Sequence, residues 1–122
     1  MPKKVNLLVV EDEDALRTLL ASELEAQGFD VRQAEGGAIA LEALDENRFD
    51  LVLLDIRLPD FDGLEILKTI RKNDLAEKVI MLTGVDELKI AKDSLTFGAN
   101  DFMTKPYDFK NLLSCINRVL KE

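Results

Sequence analysis

Three uninterrupted apolar runs constrain this chain more than any other feature: Leu7-Leu8-Val9-Val10, Leu51-Val52-Leu53-Leu54 and Val79-Ile80-Met81-Leu82. A strand with one wet face alternates apolar and polar residues. A strand that is apolar throughout is covered on both faces, as in parallel sheets. Each run stops at a polar group: Glu11-Asp12 after the first, Asp55 after the second, Thr83 after the third. Parallel strands gather such ends at one edge, where open α/β sheets bind ligands. Asp55 is the most informative of these residues, because its strand is the one expected at the centre of the sheet.

The segments between the runs have helical periodicity. Residues 5–10 read as a strand and 14–27 as a helix with Leu16, Leu20 and Leu24 on one stripe. Gly28 is a stop signal. A short strand over 31–34 precedes a helix over 38–47 carrying Ile39, Leu41 and Leu44, and 51–54 is the third strand. Asp62, in the loop Pro59-Asp60-Phe61-Asp62-Gly63, is placed to cap a helix over 63–72. Strand 79–82, helix 87–97, strand 101–103 and a last helix capped by Asp108 complete the pattern. Short connections and right-handed crossovers turn this alternation into an α/β fold, a doubly wound open sheet. Residues 1–122 form one domain in this reading, with no linker, repeat or output domain.

At 122 residues the chain can bury roughly two-thirds of its unfolded surface, enough for a core without metal or disulfide staples. It has no histidine, which removes histidine-dependent triads and most zinc sites. The single cysteine, Cys115, lies among Leu112, Leu113, Ile116 and Val119 and reads as a small core residue, not a catalytic thiol. The net charge is -8 with no basic stripe, which argues against direct nucleic-acid binding. No apolar run approaches a membrane span, and Met1-Pro2-Lys3-Lys4 does not open a signal peptide. A cytoplasmic protein with no membrane association is expected.

Glu11, Asp12 and Asp55 at one sheet edge pose an electrostatic problem. Two like charges about 4 Å apart repel by about 4 kcal/mol at an effective dielectric of about 20. Such a cluster needs raised pKa values or a cation. Mg2+ suits a shallow site, because it keeps several waters and takes one or two carboxylates. A carboxylate is also a nucleophile toward phosphorus. Lys105 and the Thr83 hydroxyl, at further strand ends, are suited to a phosphoryl group. Each residue alone has an ordinary reading. Glu11 and Asp12 serve as helix caps, Thr83 as a cap or turn residue, Lys105 as a solvated charge and Asp55 as a turn residue before Pro59. All of them fall at the carboxyl ends of strands, and that combination is the signal.

Four stretches carry a family resemblance: Leu8-Val9-Val10-Glu11-Asp12, Leu53-Leu54-Asp55-Ile56-Arg57-Leu58-Pro59-Asp60-Phe61-Asp62-Gly63, Met81-Leu82-Thr83-Gly84 and Gly98-Ala99-Asn100-Asp101-Phe102-Met103-Thr104-Lys105-Pro106. In order and spacing they resemble the receiver domain of two-component response regulators, over essentially the whole chain. The resemblance implies a flavodoxin-like (βα)5 fold with strand order 2-1-3-4-5. It implies that Asp55 is the phosphoacceptor, that Asp12 binds Mg2+ directly and Glu11 through water, and that the Arg57 backbone carbonyl is a further ligand. It makes Thr83 and Lys105 phosphoryl-binding residues, Phe102 an inward-turning switch and Lys105-Pro106 a cis peptide. Glu11 stands where aspartate is commoner in the family, and Phe102 where tyrosine is also common.

The partners implied are a sensor histidine kinase or histidine phosphotransfer protein, and a downstream target or covalently linked output domain. Ala15, Leu19, Arg57, Val85, Pro106 and Tyr107 are candidates for the donor's docking surface. The fourth helix, fifth strand and fifth helix form the implied output surface, on a monomer or a phosphorylation-dependent dimer. This makes the chain a signalling module that catalyses only its own phosphorylation and slow dephosphorylation. The alternative is a haloacid-dehalogenase-like phosphatase, for which Asp12-Glu13-Asp14 supplies an Asp-x-Asp start. Leu16 stands where that family has threonine or valine, and the late acidic pair and the insertion after the first strand are missing. A flavodoxin-like FMN carrier would need a hydroxyl-rich phosphate loop where this chain has carboxylates.

Overall fold

The structure, a computed structural model, describes residues 4–122; the expectations for Met1-Pro2-Lys3 lie outside the described residues. Strands β1 (Asn6–Val10), β2 (Asp30–Ala34), β3 (Phe49–Asp55), β4 (Ala76–Thr83) and β5 (Asp101–Thr104) alternate with helices α1 (Asp14–Ala26), α2 (Gly37–Glu46), α3 (Gly63–Asn73), α4 (Leu88–Thr96) and α5 (Phe109–Lys121). A single 3-10 turn, Val85–Glu87, precedes α4. All strand pairs are parallel, in the order β2-β1-β3-β4-β5. The fold is the doubly wound, flavodoxin-like sheet expected. Among the described residues, no helix is long and apolar enough to cross a membrane.

The helices divide between the two faces. Ala40, Ala43 and Leu44 of α2, Ile66, Leu67 and Ile70 of α3 and Ala91 of α4 pack on one face, against Leu8, Val52, Leu54, Val79 and Met81. Leu20 and Leu24 of α1 and Leu112, Cys115, Ile116 and Val119 of α5 pack on the other, against Leu7, Val9, Leu51, Leu53, Ile80 and Leu82. Successive strand residues therefore enter different cores, which explains the uninterrupted apolar runs. Edge strand β2 is only partly buried and correspondingly polar. Two helical expectations change in detail. Ile39 is exposed, because the Gly37, Ala40, Ala43 and Leu44 face of α2 meets the sheet. Leu16 is half-buried at the rim of the α1 stripe, whose centre is Leu20, Ala21 and Leu24.

The chain leaves β1 toward β2 on one face and leaves β3 toward β4 on the other. The adjacent carboxyl ends of β1 and β3 thus form the topological switch point, where the connections diverge and open a crevice. Backbone bonds tie the strand ends together there: Glu11 N to Ala34 O at 3.1 Å, Ile56 N to Leu82 O at 3.0 Å and Lys105 N to Thr83 O at 2.6 Å.

Candidate functional site

Strand β3 delivers Asp55 to this crevice with its side chain largely buried. The Arg57 N–H donates to Asp55 Oδ1 at 3.1 Å, and Lys105 Nζ donates to Oδ2 at 2.9 Å. Beyond Asp55 the chain turns tightly. Gly63 N donates to Ile56 O at 2.8 Å, and a Cβ on Gly63 would lie 2.4 Å from the Asp55 carbonyl oxygen. Only glycine allows α3 to begin this close to the end of β3. Asp62 caps α3 by accepting from Leu64 N at 2.9 Å.

Strand β1 delivers Glu11 and Asp12. Glu11 is only 1% exposed; it accepts from Lys105 Nζ through Oε1, and from the Glu13 N–H at 3.1 Å through Oε2. Asp12 is exposed. Ligand oxygens of Glu11, Asp12 and Asp55 all lie within 4.8 Å of one another, a donor set fitting a hard divalent cation. Arg17 braces the turn into α1, donating to Glu11 O at 2.9 Å and Asp14 Oδ1 at 2.7 Å.

Lys105 supplies a resident positive charge for two of the three carboxylates. Burial opposes its ammonium form, but hydrogen bonds to Glu11 and Asp55, with their charges, outweigh burial and hold its pKa above the ordinary lysine value. Among the described residues, Asp12 has no such partner. Its partial burial, with the hydrogen bond and charge of Glu11, pushes its carboxyl above the usual range.

Thr83 is fully buried at the end of β4, and its hydroxyl donates to the Gly84 carbonyl at 3.2 Å. Phe102 pairs with Met81 in the β4–β5 register and packs, half-buried, on the core face that holds α2, α3 and α4. Thr83 follows Met81 by two residues, so it shares that face with Phe102. The Lys105-Pro106 peptide is cis. Beside the crevice, Glu13, Leu16, Lys105, Pro106 and Tyr107 line a groove of about 330 Å³. Leu19 and Val85 are exposed, so Leu19 is surface, not core. Burial pushes the Tyr107 hydroxyl to about 12, and it has no hydrogen-bond partner among the described residues.

Residues 7–117 match the family model of the response regulator receiver domain. This chain belongs to that family. The receiver is 35% identical to the chemotaxis protein CheY of Bacillus subtilis, over 93% of this chain and 96% of that protein. It is 39% identical to the uncharacterized transcriptional regulatory protein YkoG of the same organism, over 98% of this chain but 53% of that protein. It therefore spans about half of that regulator, and 25% of the regulatory protein AtoC of Escherichia coli. A CheY-like receiver domain protein from Methanospirillum hungatei superposes with a TM-score of 0.92 at 32% identity, covering 98% of this chain and 95% of that one. The receiver is a signalling module of two-component systems, and the phosphatase alternative is left without support.

Two acidic residues near the site were not singled out in the sequence. Asp60, in the β3–α3 loop, accepts from Gly37 N at 2.7 Å and Ala38 N at 3.0 Å, so it caps α2 from across the fold. Nothing local in the sequence marks a cap more than twenty residues from its helix. Glu87 is buried; it accepts from Gly84 N at 3.0 Å and pairs with Arg57 Nε at 2.7 Å. The spacing of Gly84 and Glu87, three residues apart, is that of a capping-box glutamate reaching back to the N-cap N–H, a signal present in the sequence.

Proposed function

We propose that this receiver accepts a phosphoryl group on Asp55 from a phosphohistidine of a sensor kinase or phosphotransfer protein. One observation carries the reading: a largely buried carboxylate stands at the switch-point crevice with Lys105 Nζ 2.9 Å from Oδ2. A carboxylate oxygen of Asp55 attacks phosphorus, the P–N bond breaks, and its electron pair stays on the departing imidazole, which keeps or gains a proton. Lys105 then offsets charge on the transferring oxygens, and the Thr83 hydroxyl is the donor available at the end of β4. Glu11, Asp12, Asp55 and the Arg57 carbonyl would hold Mg2+, whose charge neutralises the phosphoryl oxygens when bound. A carboxylate is a poor nucleophile toward an anionic phosphoryl group without such neutralisation, so phosphorylation requires the ion.

The consequence is a change of surface. A dianionic phosphoryl group draws Thr83 inward, Phe102 takes the vacated space, and α4, β5 and α5 present a different face to the target. Exposed Leu88, Ile90 and Leu95 on α4 are apolar contacts available to a partner. Residues 1–122 act as one receiver unit whose target is a separate protein or an output domain linked to it. The test is labelling with a small phosphodonor and Mg2+. One phosphoryl group per chain is expected on Asp55, blocked by EDTA and absent from Asp55→Asn. Full labelling of Asp55→Asn would make another residue the acceptor.

A further inference from the structure

Glu87 is a carboxylate buried outside the acidic cluster. A buried charge is tolerated only when paired and hydrogen-bonded. Glu87 has two partners, and they lie on the two loops that flank Asp55. One is the Gly84 N–H, 3.0 Å from Oε1, on the residue directly after Thr83. The other is Arg57 Nε, 2.7 Å from Oε2, on the residue two past Asp55. The Arg57 side chain is itself 73% exposed, so the pair is anchored at Glu87 and open to solvent at its other end.

We infer that Glu87 is a positioning residue that latches the β4–α4 loop to the β3–α3 loop and opposes the phosphorylation-driven rearrangement. This rests on the phosphoacceptor reading above. The two donors that Glu87 occupies are neighbours in sequence of the groups that would receive the phosphoryl group. A phosphoryl group on Asp55 attracts cationic and N–H donors at the same strand ends. Drawing Thr83 inward moves Gly84 and the turn that carries Glu87 with it, and the Glu87–Arg57 pair between the two loops must stretch or break. The latch therefore favours the unphosphorylated arrangement. It reduces the fraction of molecules ready to bind a phosphoryl mimic, and the apparent affinity falls by that fraction. The carboxylate touches neither the acidic cluster nor Lys105, so its effect passes through Gly84 and Arg57.

The experiment is an amide NMR titration with beryllofluoride and Mg2+ on wild type, Glu87→Gln and Glu87→Ala, with thermal melts to show that each variant folds. The glutamine variant keeps the shape of the side chain and serves if the alanine variant does not fold. Without ligand, the Val85, Ile90 and Phe102 resonances of the variants should lie displaced along the line from free to beryllofluoride-bound wild type. Half-saturation should need at least about threefold less beryllofluoride than wild type. Arg57→Ala, which keeps the backbone carbonyl, should shift the same resonances the same way. Adding it to Glu87→Ala should change little, because the partners act as one unit. A wild type that responds, with folded variants sharing its free spectrum and half-saturation, overturns the latch and leaves the phosphoacceptor reading intact. A wild type that does not respond overturns that reading, and the latch's role with it.

Discussion

Asp12 and Lys105 divide the electrostatics of the crevice between them. Lys105 satisfies Glu11 and Asp55, and Asp12 is left with a raised pKa and no ion-pair partner among the described residues. A carboxyl with a folded pKa above its unfolded value adds stability below the unfolded value, and that stability is lost as pH rises through the folded one. Asp12 thus costs stability at neutral pH in the absence of metal. Asp12→Ala should melt higher than wild type in EDTA at pH 7, and the difference should vanish below the ordinary carboxyl value of 3.8. Mg2+ should reverse the order, because an ion at about 100 times its Kd adds about 2.7 kcal/mol to a protein that binds it. Equal responses of the two proteins to Mg2+ would remove Asp12 from the ligand set. Cys115 is ordinary core by contrast: burial first, then the charge of Asp101, pushes its thiol from 9.0 to about 11. That lowers the thiolate fraction at pH 8 roughly a hundredfold, so a thiol reagent should label the native protein far more slowly than the unfolded chain. Equal labelling rates would contradict the burial.

Helix α2 shows how an element can depend on a distant loop. Its N-cap, Gly36, offers no side chain, and the Gly37 and Ala38 N–H groups are satisfied by Asp60. Those backbone bonds hold the Asp60 carboxyl below its ordinary value. A depressed carboxyl pKa stabilises the fold above the unfolded value and loses the effect as pH falls through the folded one. Asp60→Ala should therefore melt below wild type at pH 7 and converge on it in acid, with the largest loss of amide protection at the start of α2. A deficit independent of pH would mean that Asp60 acts by packing alone. Because Asp60 lies five residues past Asp55, the same contact holds the β3–α3 loop against the start of α2.

Across the whole molecule, the sheet separates two cores, one under α2, α3 and α4 and the other under α1 and α5. Thr83 and Phe102 belong to the face with α2, α3 and α4. A close-packed core favours discrete arrangements over continuous shifts. A ligand moves such an equilibrium only through its differential affinity for the two states. Thr83→Ala should accordingly still accept phosphoryl on Asp55 but transmit it poorly to Phe102, Ile90 and Leu95. Amide NMR with beryllofluoride measures this, and a full wild-type shift pattern on α4 and β5 in Thr83→Ala would exclude the threonine route.

Much of this protein is legible in its sequence because the information is local. Strands apolar on both faces announce a parallel sheet, and the polar residues that end them, Glu11, Asp12, Asp55 and Thr83, mark its carboxyl edge. Asp62 and Asp108 declare their helices, each accepting from the N–H two residues on. Periodicity could not say which part of an apolar helix meets the sheet. Ile39 and Leu19 are on the surface because small residues on α2, and Leu20 with Leu24 on α1, make the closer approach. Tertiary structure alone decided which cation answers which carboxylate. Lys105 is 94 residues from Glu11 and 50 from Asp55, and no pattern in the chain assigns it to them over Asp12. The same holds for Asp60 on α2 and Arg57 on Glu87, contacts made by side chains whose partners are fixed only when the sheet brings the loops of one edge together.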